Sequence, residues 1–271
     1  MADSLIVTSR DIDVFNRVAD RYDEVIPFFT AFAKETASAL PLASGSRVLD
    51  LGAGRGAFTT EALARRCRVT AIDAAPNMVE RLLDAHIDHA GLDAAYMMDA
   101  HHLELPGGHF DTVVSHFVVH LLDHPSAALG EVLRVLSPEG VFAFTVPGAA
   151  PGFRVPESVE ATDPLAELFA EFGQYLSPEG GMGRPLDARE LLTAAGFVDV
   201  KATTITVDLP VADGETLWQW GLTHGSLAYF EDLPVNRRAE FRARRHAATE
   251  AAGPSRLRRT AAMWTGRKPE R

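Results

Sequence analysis

The amino-acid sequence predicts an α/β fold, a mainly parallel sheet with helices on both faces and a helical cap over one end. Three observations carry that prediction. Between residues 47 and 147, short apolar runs alternate with stretches of helical spacing, the beat of strand–helix–strand units with right-handed crossovers. The first run leads into a glycine-rich turn, Gly52-Ala53-Gly54-Arg55-Gly56, that opens a helix. Three successive runs also close on or beside an aspartate, Asp50, Asp73 and Asp99, at the carboxyl edge where open α/β sheets bind ligands.

Each element follows in order. Residues 47–51 (RVLDL) form the first strand, and 58–66 a helix with Phe58, Ala62 and Leu63 on one face. A second strand, 68–72, closes at Asp73. The helix after it, 76–86, has Pro76 in its first turn, where a missing N–H is harmless. Residues 94–98 make a third strand ending at Asp99, 111–115 a fourth, 127–136 a helix, and 141–146 a fifth strand. There the beat changes. Residues 148–156 are rich in Gly and Pro, and 157–175 read as an amphipathic helix. Alternation resumes with a helix at 187–195, stopped by Gly196, and a strand at 198–209. An aromatic-bearing insertion at 213–232 precedes a basic helix, and 260–265 is the final strand. At the other end, 14–40 is helical with breaks at Pro27 and Pro41. These pieces make one domain over 1–271. Its core is 45–147, 186–209 and 258–268, and its cap is 11–40, 150–185 and 210–255, since no cap piece is long enough for a core of its own.

Composition narrows the function. Of 271 residues, 46% are hydrophobic and 23% charged, the balance of a globular chain. No apolar run reaches the roughly 20 residues that cross a bilayer, and the start, MADSLIVTSRDIDVF, lacks the basic and apolar regions of a secretory signal. Cys67 is the single cysteine, which excludes an intrachain disulfide or a multi-thiolate metal site. A cytoplasmic location is expected. The net charge of −11 argues against nucleic acid as partner. Residues 236–271 nevertheless hold 11 Arg and Lys against 3 Glu. They form either a solvated helix face around Arg237, Arg238, Arg242, Arg244 and Arg245, or a rim attracting an anionic substrate.

A glycine turn of this kind lets backbone approach a ligand closely. Dinucleotide-binding enzymes use G-x-G-x-x-G at the same place, but here the spacing is G-x-G-x-G and Asp50 stands two residues before the first glycine. A carboxylate there is awkward beside a pyrophosphate and suits a ligand bearing an ammonium group. The run VLDLGAGRG resembles motif I of the class I S-adenosylmethionine-dependent methyltransferases, small-molecule branch, of the ubiquinone/menaquinone-biosynthesis type. The likeness is close over residues 45–147 and looser beyond. It implies a Rossmann-like sheet of about seven strands with the last antiparallel, and S-adenosylmethionine as cofactor. By resemblance, Gly52, Ala53 and Gly54 cradle the cofactor. Asp73-Ala74, in VTAIDAAPNM, falls where the ribose hydroxyls are bound, and Asp99-Ala100, in AYMMDAHHLELP, where the adenine amino group is read. Met78 packs on the adenine, Tyr22 of VADRYD lies beside the cofactor, and Ser115-His116 flank its methionine end.

The residues also stand on their own chemistry. A vicinal diol needs a bidentate acceptor and an exocyclic amine a single one, and three strand-end acids suit a cationic sulfonium. Helix capping is the alternative for each acid taken singly. His120 lies about a helical turn beyond His116, where a neutral imidazole could take a proton from an acceptor hydroxyl or amine; a structural hydrogen bond is the alternative for both. HFVVH is not the HExxH of a zinc site, so no metal is expected. Phe15, Trp218, Trp220, His224 and Tyr229 are candidates to wall a flat or hydrophobic acceptor, with core packing as the competing role. The expected reaction is methyl transfer to an O, N or C atom of a small, specialised-metabolite acceptor. The alternatives are a cyclisation or isomerisation with the same cofactor, and a nicotinamide-dependent oxidation.

Overall fold

The structure, a computed structural model, describes residues 9–147, 164–177, 183–184, 186–251 and 255–270. Strands form where the chain is apolar on both faces. β1 (Arg47–Leu51), β2 (Arg68–Asp73), β4 (Phe110–His116) and β5 (Leu136–Pro147) are near-continuous buried runs, the mark of central parallel strands. β3 (Leu92–Met97) is an edge, with Tyr96 and Met97 exposed. β6 (Val198–Val211) and β7 (Ser255–Arg267) complete a seven-stranded sheet in the order β3-β2-β1-β4-β5-β7-β6. β1 to β5 pair in parallel, while β7 runs antiparallel to both its neighbours, as expected.

Alternation along the strands divides the core into two layers. Leu49, Val113 and Phe142 face α5 (Pro125–Val135) and α7 (Ala188–Ala194) through Val132, Val135 and Leu192. Val48, Val114 and Ala143 face the opposite layer, where α2 (Phe28–Ala39) and α3 (Ala57–Ala64) supply Phe32, Phe58 and Leu63. α4 (Pro76–His86) covers β2 and β3. The carboxyl ends of β1, β2 and β4 are thus held side by side by a core whose members Ile72, Ala100 and Leu122 reach the cavity described below.

The cap differs in detail from the expectation. α1 (Ser9–Val18) and α2 are separated by a turn over 19–27, not by Pro27 alone. The insertion at 213–232 is two short helices, α8 (Gly214–Gly221) and α9 (Ser226–Asp232). With α6 (Pro164–Gly173) and α10 (Val235–Ala251) they enclose a satellite cluster of Leu168, Phe172, Trp218, Leu233 and Phe241. β7 is longer than 260–265 because it pairs with β5 on one side and with β6 along its whole length on the other. The Gly/Pro-rich stretch at 148–156 and the first part of the 157–175 helix lie outside the described residues. Among the described residues, no helix is long and apolar enough to cross a membrane.

Candidate active site

The site grows from the point where β1 leaves the sheet. The Gly52 and Ala53 N–H groups both donate to the Ile72 carbonyl, at 2.8 and 2.9 Å, so the turn stays pressed against β2. Gly52 has φ +74°, and a Cβ there would lie 2.3 Å from Cγ2 of Val118. Only glycine fits. Gly54, at φ +55°, donates its N–H to Asp73 Oδ2 at 2.8 Å, while the Ala75 N–H donates to Asp73 Oδ1 at 2.8 Å. Asp73 therefore ties the loops after β1 and β2 together. Each carboxylate oxygen accepts up to two hydrogen bonds, so both keep capacity for a diol. Burial pushes the Asp73 carboxyl above its ordinary range, against the backbone N–H groups that hold it down.

A cavity of about 740 Å³, counting the solvent at its mouth, opens above this turn. Gly52, Gly54, Asp73 and Ala74 form its floor, Met78 and Ala100 its flanks, and Phe15, Tyr22 and His116 its remaining predicted walls. Sequence reasoning missed Asp11 and Ile12 of α1, together with Met98, Phe117, Val118, Leu121 and Leu122. Tyr22 is held over the turn by stacking on Phe29, with ring centroids 4.6 Å apart. Arg55, on the glycine turn, donates from Nη1 to the carbonyls of Asp20 and Tyr22 at 3.2 and 2.8 Å and to Glu24 at 2.9 Å, latching the α1–α2 connection above the cavity.

Other predicted residues stand behind this wall. Asp50 is fully buried, accepts from the Thr59 hydroxyl at 2.7 Å, and leaves Oδ1 without a partner. Burial raises its carboxyl to about 7. Ala53 turns inward to Ala71 and Leu82. Asp99 Oδ1 accepts both the backbone N–H of His101, at 2.9 Å, and its Nδ1, at 2.6 Å, and Asp99 is not among the residues that line the cavity, although its neighbour Ala100 is. Ser115 is buried with no hydrogen-bond partner for its hydroxyl.

The structure separates the two histidines that the sequence grouped. Phe117 takes a left-handed turn, φ +59°, that keeps His116 on the cavity wall and carries His120 away into a 3-10 turn, Val119–Leu121. His120 accepts the Arg184 N–H at its carbonyl, 2.8 Å, and does not line the cavity. Burial pushes the His116 imidazole down to about 3, the Phe29 carbonyl opposing, and His120 down to about 4. His224 spends both ring nitrogens locally, Nδ1 on the Trp220 carbonyl at 2.8 Å and Nε2 with the Ser226 hydroxyl at 3.2 Å. Burial lowers it to about 4.

Trp218 packs in the satellite cluster, and the Tyr229 hydroxyl donates to the Phe169 carbonyl at 2.5 Å. Trp220 packs against Phe28, with ring centroids 5.1 Å apart. None of Trp218, Trp220, His224 and Tyr229 lines the cavity. The basic helix faces other cap helices, Arg244 pairing with Glu171 of α6 and Arg242 with Glu215 of α8, while Arg237 pairs with Glu240 within the helix.

A glycine turn beside a carboxylate with free acceptor capacity, in one cavity with Met78 and Ala100, fits an adenosyl amino acid. The comparisons agree. A family model described as a methyltransferase domain matches residues 49–144. The chain is 30% identical to nocamycin O-methyltransferase of Saccharothrix syringae over 94% of its own length and 97% of that protein's. It is 32% identical to the S-adenosyl-L-methionine-dependent Diels-Alderase iliD of Neonectria sp. (strain DH2), covering 61% of this chain and 64% of that one. Its fold matches the YcgJ protein of Bacillus subtilis with a TM-score of 0.57, at 19% identity over 89% of this chain and 99% of that one. The chain belongs to the class I S-adenosylmethionine-dependent methyltransferases, and S-adenosylmethionine is its cofactor.

Proposed function

We propose that the protein methylates an O, N or C atom of a small specialised metabolite, with the core of the chain binding cofactor and the cap selecting the acceptor. The supporting observation is the cavity itself, with a glycine-and-aspartate floor at one end and His116, Phe117, Val118, Leu121 and Leu122 at the other. Similarity to nocamycin O-methyltransferase along nearly the whole chain supports the choice of acceptor class. A net charge of −11 disfavours a nucleic-acid acceptor, and we assign the reaction to the cytoplasm.

When bound, the cofactor supplies a methyl group on a sulfonium that is already activated for in-line displacement. In this proposal, Asp73 would hold the ribose diol, Asp99 at the next strand end would accept from the adenine amine, and Met78 and Ala100 would pack against the ring. Phe15 and Tyr22 close the cavity against water, and the rigid turn at Gly52 fixes the approach distance, so positioning supplies most of the rate. His116 is the polar side chain placed to meet the acceptor.

The similarity to a Diels-Alderase favours one second reading, a cyclisation in which no methyl group is lost. Release of S-adenosylhomocysteine during turnover decides between them. One equivalent per product supports methylation, and product without release overturns it.

A further inference from the structure

One wall of the cavity is a short helix that is held from outside. Asp11, Ile12 and Phe15 of α1 line the cavity, as do Ala75 and Met78 at its floor. Ile12, Phe15 and Val18 pack in one cluster with Ala75 and Met78, which are only 2% and 1% exposed. A ligand resting on Met78 is therefore covered by α1. At ten residues, α1 is too short to keep its helical form unaided in water. Its docking contacts hold it.

The polar contacts fall into two sets. Toward α4, the N-cap residue Ala75 has no capping side chain. Asn16 of α1 stands in: its Oδ1 accepts the Asn77 N–H at 3.0 Å, and Asn77 Nδ2 donates to the Asn16 carbonyl at 3.2 Å. Toward α9, Arg10 and Arg17 lie two turns apart on one face of α1 and pair with Asp232 and Glu231. The Arg17 pair is bidentate, at 2.8 and 2.7 Å. Glu231 and Asp232 are the last two residues of α9, where the helix dipole disfavours acids unless cations cover them. The arginines of α1 give that cover. Arg238 of α10 donates to the Glu231 and Leu233 carbonyls, so the two acids stand on a braced part of the cap. Behind α1, Arg55 holds Asp20, Tyr22 and Glu24, which leaves the short link before Asp20 as the hinge.

We propose that α1 is a lid over the cofactor, and that its ion pairs to Glu231 and Asp232 set how fast the cofactor enters and leaves. Neither acid lines the cavity, so their effect runs through α1. The inference holds whichever acceptor reading of the site is right. Opening breaks both ion pairs and the Asn16–Asn77 pair, a local event that spares the sheet. Salt screens only the charged part. Entry and exit pass the same lid, so loosening it multiplies both rates and moves the dissociation constant little. Loss of a direct ligand contact acts mainly on exit.

The test follows S-adenosylhomocysteine on the full chain by rapid mixing, with tritiated ligand chased by excess unlabelled ligand to read exit. An exposed ion pair of good geometry is worth about two- to five-fold. Glu231→Gln and Arg17→Met should each speed entry and exit by about that factor. Glu231→Gln with Asp232→Asn should give roughly the product of two such factors, with Kd within about three-fold of the parent's. Raising salt from about 0.1 to 1 M cuts the screening length from about 10 to 3 Å. That change should speed exit from the parent and leave the doubly neutralised variant nearly unmoved. Amide exchange in that variant should quicken across 10–18 and stay unaltered in β1 and β4. Asp208→Asn, which breaks the exposed Arg256–Asp208 pair between β7 and β6, should change neither rate. Exit from the parent that ignores salt, or neutralised acids that leave both rates unmoved, overturns the clasp. Exit that speeds alone, with a matching loss of affinity, overturns the lid.

Discussion

Two residues at the cavity floor can be tested singly. Asp73 meets the ligand and also bridges the Gly54 and Ala75 N–H groups. Asp73→Ala should weaken S-adenosylhomocysteine by at least about ten-fold, the range for losing bonds to a charged acceptor; calorimetry giving the unaltered affinity would defeat the ribose assignment. At Gly52 the φ of +74° and the 2.3 Å approach of Val118 Cγ2 act together. Gly52→Ala should lower stability by about 1–3 kcal/mol in urea melts, and adding Val118→Ala should recover part of it by removing the overlap. Full stability in the single variant would show that the turn can relax. Asp73 and the glycines were legible because backbone approach and acid placement follow from residue type and local spacing. His116 against His120 was not. Their separation depends on a left-handed phenylalanine, Phe117, a conformation that no local pattern announces.

Among elements, the central strands were readable from their apolar runs and the helices from period and punctuation, whereas the cap could not be assembled in advance. Trp218 and Tyr229 have the composition of a substrate wall, yet they pack against α6 and α10. Which aromatic reaches the cavity depends on tertiary arrangement, which spacing along one chain does not encode. The best-defined cap element over the site is the turn between α1 and α2. Asp23 receives the Phe29 and Thr30 N–H groups at 2.8 and 2.7 Å, capping α2 from outside the helix, and Arg55 ties the same turn to the glycine loop. Asp23→Ala should destabilise by about 1 kcal/mol, as loss of a helix cap does. Arg55→Met should instead leave the global melt nearly unchanged and speed amide exchange across 19–27, with a several-fold loss of cofactor affinity through the loosened Tyr22. If exchange in that turn is unaltered in Arg55→Met, the latch holds nothing.

For the molecule as a whole, the buried groups at the site end of the sheet set opposing pH dependences of stability. His116, His120 and His224 are lowered by burial from 6.5 to about 3, 4 and 4. Unfolded, each takes up a proton as the pH falls through 6.5, while folded it resists until its lowered value. Their contribution is complete above pH 6.5 and is lost progressively as the pH falls toward 4, because the unfolded chain binds more protons in that window. Asp50 has the opposite sign. Its carboxyl is raised from 3.8 to about 7, so the folded chain keeps a proton that the unfolded chain has released. Its contribution is complete below pH 3.8 and is lost as the pH rises through 7. At about 1.4 kcal/mol per pKa unit, each group moves stability by up to roughly 3–5 kcal/mol across its window. Difference curves isolate the two signs, since other carboxylates cancel between variant and parent. Asp50→Asn should gain stability relative to the parent as the pH climbs from 4 to 8, and His116→Gln should gain it as the pH drops from 6.5 to 4. Urea unfolding at half-unit pH intervals measures both. If either difference curve is flat, that side chain is hydrated in the folded protein. For His116, a flat curve would also restore a proton acceptor to the acceptor end of the cavity.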